Sequence, residues 1–185
     1  MIGISTGGPQ TLSQAFSALS PPVPPILVVQ HMPANFTGVF AKRLNRQCAV
    51  AVKEAEEGDP IIPDQILIAP GGQHLTITGH APDLRASLNS EPQVSGHRPS
   101  IDVLFESGAR VLGSAAVAFI MTGMGRDGVE GCKRVLAASG KVYGQDEATS
   151  VVYGMNKVAF QEGAVLRQFA VDELPALIEE IAGKR

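Results

Sequence analysis

Two cysteines, Cys48 and Cys132, are all the thiol chemistry this chain of 185 residues contains. Their spacing fits neither a zinc site nor a disulfide framework, so both are expected to be reduced, buried thiols in a cytoplasmic protein. No block of basic residues stands out among 15 Lys and Arg against 18 Asp and Glu, and the net charge is −3, so no nucleic-acid partner is expected. No apolar run approaches the roughly 18 residues of a membrane span, so no membrane insertion is expected. The N-terminus lacks the charged and long apolar regions of a signal peptide. Four histidines (His31, His74, His80 and His97) are scattered and suggest no metal cluster. There is no internal repeat, and no linker long enough to divide the chain, so residues 1–185 are expected to form a single domain. What remains is 44% hydrophobic and 18% charged, a globular composition with enough length for a sizeable core.

Hydrophobic periodicity alternates along the chain. Residues 1–4 read as the end of a strand. Residues 9–19 place Leu12, Ala15, Phe16 and Leu19 at helical spacing, with Pro9 suited to the first turn. "ILVVQ" (26–30) is a continuous apolar run of the kind covered on both faces. Residues 35–47 predict a helix with Asn35 as N-cap and Phe36, Val39, Phe40 and Leu44 on one face. Residues 49–55 predict a strand, 65–79 a hairpin around Pro70-Gly71-Gly72, and 84–89 a further strand. Helices are expected at 99–113, 128–139, about 150–160 and about 172–182, with strands at 115–122 and 141–145. Strands alternating with helices predict an α/β fold: a doubly wound, mainly parallel sheet with helices on both faces and an antiparallel hairpin near an edge.

In such sheets, ligands bind beyond the carboxyl ends of the strands. Three polar stretches fall there: Ser5-Thr6-Gly7-Gly8 after the first strand, Gln30-His31-Met32-Pro33 after "ILVV", and Thr122-Gly123-Met124-Gly125-Arg126-Asp127-Gly128 after "AAVAFIM". One serine, one histidine and one aspartate thus follow three separate buried strands, the inventory of a Ser-His-Asp triad. A serine hydroxyl needs a base to take its proton as it attacks. A histidine does this near neutral pH and can return the proton to the leaving group. A carboxylate on the other ring nitrogen fixes the tautomer. The glycines beside Ser5 allow a sharp turn and expose N–H groups near a developing oxyanion.

Each residue also has a plainer reading. Ser5 and its glycines make an ordinary strand-to-helix turn. His31 is a hydrogen-bonded residue at a strand end. Asp127, with Glu130 three residues on, matches a capping box for the helix from 128. A rival functional reading exists too. "GMGRDG" (123–128) is literally G-x-G-x-x-G between a strand and a helix, with Asp146 and Glu147 about 20 residues beyond, as in a dinucleotide fingerprint. Against it, Asp127 would set a carboxylate beside the pyrophosphate. The "STGG" turn offers a second phosphate cradle.

Six blocks carry a wider likeness: "IGISTGGPQTL", "VVQHMP", "IAPGGQHL", "RPSIDVLF", "MTGMGRDG" and "QDEATSVVYGM". In this order they resemble the catalytic domain of the chemotaxis receptor methylesterases, the CheB family, from residue 2 to about 160. The resemblance implies a hydrolase for glutamate γ-methyl esters on methylated chemotaxis receptors, releasing methanol, and a deamidase for certain receptor glutamines. It implies Ser5 as nucleophile, His31 as base and acid, Asp127 as orienting carboxylate, the backbone around Met124 as a candidate oxyanion contact, and Thr6 as a supporting residue beside the nucleophile. It implies no cofactor and no metal, and makes "GMGRDG" a triad loop. Two positions depart from the family: Ile4 where alanine is common, and Asn156 where proline is usual. Full-length relatives carry an N-terminal receiver domain over the site. This chain is therefore expected to be an excised domain or a stand-alone esterase, and its very short first strand favours the former.

Overall fold

A computed structural model describes residues 1–183. Seven strands form one parallel sheet: β1 (Ile2–Ile4), β2 (Ile26–Gln30), β3 (Ala51–Glu54), β4 (Gln65–Ile68), β7 (Val117–Ile120), β8 (Lys141–Gln145) and β9 (Arg167–Phe169), in the order β3-β4-β2-β1-β7-β8-β9. The remaining two, β5 (His74–His80) and β6 (Asp83–Asn89), pair antiparallel as a sheet of their own. Among the described residues, six α-helices accompany them: α1 (Gly8–Ser17), α2 (Ala34–Asn45), α3 (Ile101–Leu112), α4 (Val129–Ala137), α5 (Met155–Gln161) and α6 (Leu174–Gly183).

The apolar strands are continuous because both faces are covered. Within β2, Leu27 and Val29 face a core shared with Ile101, Leu104 and Phe105 of α3 and Val129, Cys132 and Val135 of α4. Ile26 and Val28 face the opposite core, with Leu12 and Phe16 of α1, Phe40 and Leu44 of α2, and Leu177 and Ile178 of α6. Full burial of such side chains stabilises by about 1.5–3 kcal/mol each. The winding reverses at the centre of the sheet. From β1 the chain proceeds to β2 on one side, whereas β7 pairs on the other side of β1 and leads on to β8. A crevice opens at the carboxyl ends of strands where the order reverses in this way.

Several local expectations are corrected. The strand at 65–68 does not fold back on 74–80. It joins the main sheet between β2 and β3, and β5 pairs instead with β6. This hairpin packs Leu75 and Ile77 into the core with α3, and Ile77 N–H donates to Ser107 Oγ at 3.0 Å. It borders the loop leaving edge strand β3, where Ala86 N–H donates to Asp59 O. Helix α2 is preceded by Pro33 rather than capped by Asn35. Its buried face is Thr37, Phe40, Ala41 and Leu44, while Phe36 and Val39 are 58% and 67% exposed. A short further strand, β9, adds to the sheet before α6 where the sequence predicts none, its Arg-Gln-Phe burying only Phe169.

Candidate active site

Ser5, His31 and Asp127 follow β1, β2 and β7, three neighbours in the sheet. The backbone fixes the first two in register: Ser5 N–H donates to Thr122 O at 2.9 Å and His31 N–H to Ile4 O at 3.2 Å. The Gln30 side chain ties the loops together, its Nε2 donating to both Ser5 O and His31 O at 3.0 Å. Thr122 does the same on the other side, with Oγ1 donating to Thr6 O at 2.9 Å and accepting from Val152 N–H at 2.9 Å. Two residues after Ser5, Gly7 takes a left-handed conformation (φ 84°) as the residue before α1. A side chain there would also strike Val151, whose Cγ2 is 2.5 Å from the position of a Cβ.

The three side chains form one series. His31 Nδ1 lies 3.2 Å from Ser5 Oγ, and His31 Nε2 lies 2.7 Å from Asp127 Oδ2. The carboxylate can only accept, so Nε2 carries the ring proton and the Nδ1 lone pair faces the serine hydroxyl. The ring therefore presents its nitrogens in the reverse sense to the serine-protease arrangement, in which Nε2 faces the serine.

Asp127 does not cap its own helix. The residue before α4 is Gly128, in a left-handed conformation, with no side-chain cap. The carboxylate turns instead to the start of α3. There it accepts from Ser100 Oγ at 2.7 Å, Ile101 N–H at 2.8 Å and Asp102 N–H at 3.2 Å. Burial works to raise its pKa, but the hydrogen bonds from His31, Ile101 N–H and Ser100 outweigh burial and hold the carboxyl below its ordinary 3.8. The first turn of a helix favours that charge further.

The exchange is reciprocal. Asp102, on α3, accepts from Gly131 N–H of α4 at 2.7 Å. Burial, and then the charge of Asp127, push its carboxyl up to about 6 against the opposing hydrogen bond from Gly131. The amino end of α4 is thus already occupied by a carboxylate. This removes the dinucleotide reading of "GMGRDG", because a pyrophosphate would need those N–H groups. Asp146, the candidate ribose acid, is spent on its own turn, with Oδ1 accepting from Thr149 N–H and Oγ1.

Thr6 and Met124 flank Ser5, and both are exposed, Met124 to 72%. Among the described residues, neither of their backbone N–H groups finds an acceptor. Gly123 packs directly on the serine: a Cβ there would lie 2.6 Å from Ser5 Cβ. Asn156 is fully buried and donates to Gln145 O and Ser150 Oγ, both at 2.8 Å, so it braces the 145–150 loop.

Three residues around the triad were not singled out in the sequence: Ser100 and Asp102, and His97, whose ring stacks on His31 with centroids 3.7 Å apart and planes 7° from parallel. Ser100 fell inside the helix expected at 99–113, whereas in the structure it precedes α3 and gives its hydroxyl to Asp127.

A serine hydroxyl, an imidazole and a buried carboxylate joined in series at the switch point of a doubly wound sheet are the working parts of a serine-type hydrolase. Residues 1–178 match the CheB methylesterase family, and the chain belongs to that family. It is similar to the protein-glutamate methylesterase/protein-glutamine glutaminase of Treponema denticola, 49% identical over 179 residues, which cover 96% of this chain and 48% of that protein. The protein of the same name from Treponema pallidum is 47% identical over 178 residues, 96% of this chain and 44% of that one. The chain spans about half the length of these curated relatives. The fold agrees with the crystal structure of the Thermotoga maritima CheB methylesterase catalytic domain (TM-score 0.94, 36% identity, 97% of this chain and 96% of that one). No helix among the described residues is long and apolar enough to cross a membrane.

Proposed function

We propose that this chain is a cytoplasmic catalytic domain, residues 1–185, that hydrolyses glutamate γ-methyl esters on methylated chemotaxis receptors and releases methanol. The observation that carries the reading is the series Ser5 Oγ, His31 Nδ1, His31 Nε2, Asp127 Oδ2, found in a member of the CheB methylesterase family. Ser5 attacks the ester carbonyl while His31 Nδ1 takes its proton. Asp127 holds the Nε2–H tautomer and offsets the charge that grows on the ring. The N–H groups of Thr6 and Met124 are the oxyanion donors, a role supported by the lack of an acceptor for either among the described residues. His31 returns the proton to departing methanol, then activates the water that releases the acyl group. The same tetrahedral chemistry on a γ-carboxamide, with ammonia leaving, gives the glutamine deamidation named for the relatives. No step calls for a cofactor or metal. A receiver domain is the regulatory partner, a reading supported by the greater length of the relatives.

The test is methanol release from methylated receptor by Ser5→Ala. Turnover should vanish while the circular dichroism spectrum and unfolding midpoint stay within error of the parent. Undiminished turnover would end the proposal.

A further inference from the structure

The imidazole of His31 is gripped in its own plane, by Ser5 at one nitrogen and Asp127 at the other. Two in-plane hydrogen bonds resist rotation about Cβ–Cγ only softly. What stands against the face of the ring is His97, 3.7 Å away and nearly parallel. We infer that His97 is a positioning residue for His31: its stacked ring locks the imidazole in the Nδ1-to-serine orientation, and it must be neutral for turnover. This inference rests on the hydrolase reading of the site.

His97 is itself held on both sides. Val94 and His97 exchange backbone hydrogen bonds of 3.1 and 2.9 Å around Ser95 and Gly96. Both central residues have positive φ, 53° and 79°, the signature of a type I′ turn. One residue on, Arg98 O accepts from Gly72 N–H at 3.1 Å. Two further on, Ser100 donates to the Asp127 carboxylate. A single segment, 94–100, therefore stacks on the histidine and bonds the aspartate.

The stack also has electrostatic consequences. When His31 takes the serine proton, positive charge grows beneath the face of a neutral ring, a favourable cation–π geometry. Were His97 already protonated, the same step would bring two like charges to 3.7 Å. Burial and then the charge of His31 hold His97 below its ordinary 6.5, with Asp127 opposing. The Arg98 guanidinium is turned away to the carbonyls of Ser90 and Glu91. Asp102 is reached from the turn through Ser95 Oγ at 3.5 Å.

The test compares the parent with His97→Ala and His97→Phe. In His97→Ala, kcat should fall about 10–50-fold with KM changed less than about twofold, the mark of lost preorganisation rather than lost binding. In His97→Phe, which keeps a flat ring without an ionisable nitrogen, most of that loss should be recovered. The acid limb of log(kcat/KM) against pH should drop from a slope approaching two to a slope of one. In the free proteins, the His31 Nε2–H held by Asp127 should give a sharp, slowly exchanging signal in the parent and one broadened by ring motion and faster solvent exchange in His97→Ala, with the tautomer unchanged. Parent-like kcat, slope and ring spectra in both variants would overturn the inference. If Ser5→Ala keeps turning over, the hydrolase reading fails, and the spectra of the free proteins still decide whether His97 orders the ring.

Discussion

Replacing Asp127 with asparagine separates its charge from its shape, and the surroundings decide which way the amide points. Oδ2 accepts from His31 Nε2 and Ile101 N–H at 2.7 and 2.8 Å, both fixed donors in the resting tautomer. Oδ1 accepts from Ser100 Oγ at 2.7 Å and from Asp102 N–H at 3.2 Å. The Ser100 hydroxyl can turn and accept, so the NH2 group belongs at the Oδ1 position, where its one conflict is with the longer Asp102 contact. The amide oxygen then still faces His31, and the ring keeps its working tautomer. A triad whose amide turns the other way loses about 10⁴ in rate through the wrong tautomer. Here the loss is confined to the charge. Across 2.7 Å the ion-pair attraction is about 6 kcal/mol at an effective dielectric of about 20, an upper bound. The gap between charged and neutral hydrogen bonds, about 1–2 kcal/mol, is a lower one. Taking about 3 kcal/mol, kcat of Asp127→Asn should fall about 10²-fold. Denaturant unfolding should show about 1–3 kcal/mol of lost stability, from the mismatched Asp102 N–H and the weakened cap of α3. Methanol release with methylated receptor measures the first quantity. A loss of 10⁴ or more, with 15N signals placing the His31 proton on Nδ1, would refute the reasoning.

Two further outcomes follow from the same region. The Asp102 carboxyl is raised from 3.8 to about 6 in the fold, so the native state holds the proton more tightly than the unfolded chain between those values. Stability should therefore rise, by about 2.5 kcal/mol, as pH falls from 7 to 4, while Asp127, shifted the other way, loses its contribution only below about 3.8. Denaturation midpoints of Asp102→Asn should be flatter across that window; an unchanged slope would count against the assignment. Gly123→Ala puts a methyl 2.6 Å from Ser5 Cβ and 2.9 Å from Met155 Sδ. It should cost about 1–3 kcal/mol of stability and at least tenfold in kcat, because the nucleophile must move. Parent-like kcat would show that the serine loop yields freely.

The centre of the parallel sheet and its helices were legible because strands such as β2 are short apolar runs covered on both faces, and the longer helices carry a 3.6-residue stripe, whereas β9, Arg-Gln-Phe with only Phe169 buried, gives no such run. The three loops that carry Ser5, His31 and Asp127 were legible for the same reason: strand ends in such a sheet share an edge. What local pattern could not supply was the identity of distant partners. Residues 65–68 and 74–80 are both strand-like around a Pro-Gly-Gly turn, and nothing local reveals that the first pairs with β2 and β3 while the second pairs with β6. The apolar residues Phe36 and Val39 were placed on the buried face of α2. The core instead takes Thr37, whose hydroxyl accepts from Gly71 N–H at 3.1 Å. Asp127 looked like the cap of the helix beside it, but its acceptors serve donors 25 and 26 positions earlier. His97 carried no pattern at all, since a stack on His31 exists only after two loops meet.

On the proposed hydrolase reading, the crossed carboxylates at the starts of α3 and α4 tie the reaction to the assembly of the helical layer. Asp127 is oriented toward His31 only when α3 has docked to offer it Ile101 and Asp102, and α4 is closed by Asp102 only when that docking is complete. A partly folded chain with α3 detached would still hold Ser5 and His31 on neighbouring strands, yet would leave the carboxylate without the donors that orient it. Enzymatic turnover is then an internal gauge of tertiary order. Lesions anywhere along the α3–α4 seam should register as lost catalysis even when every triad atom is chemically intact.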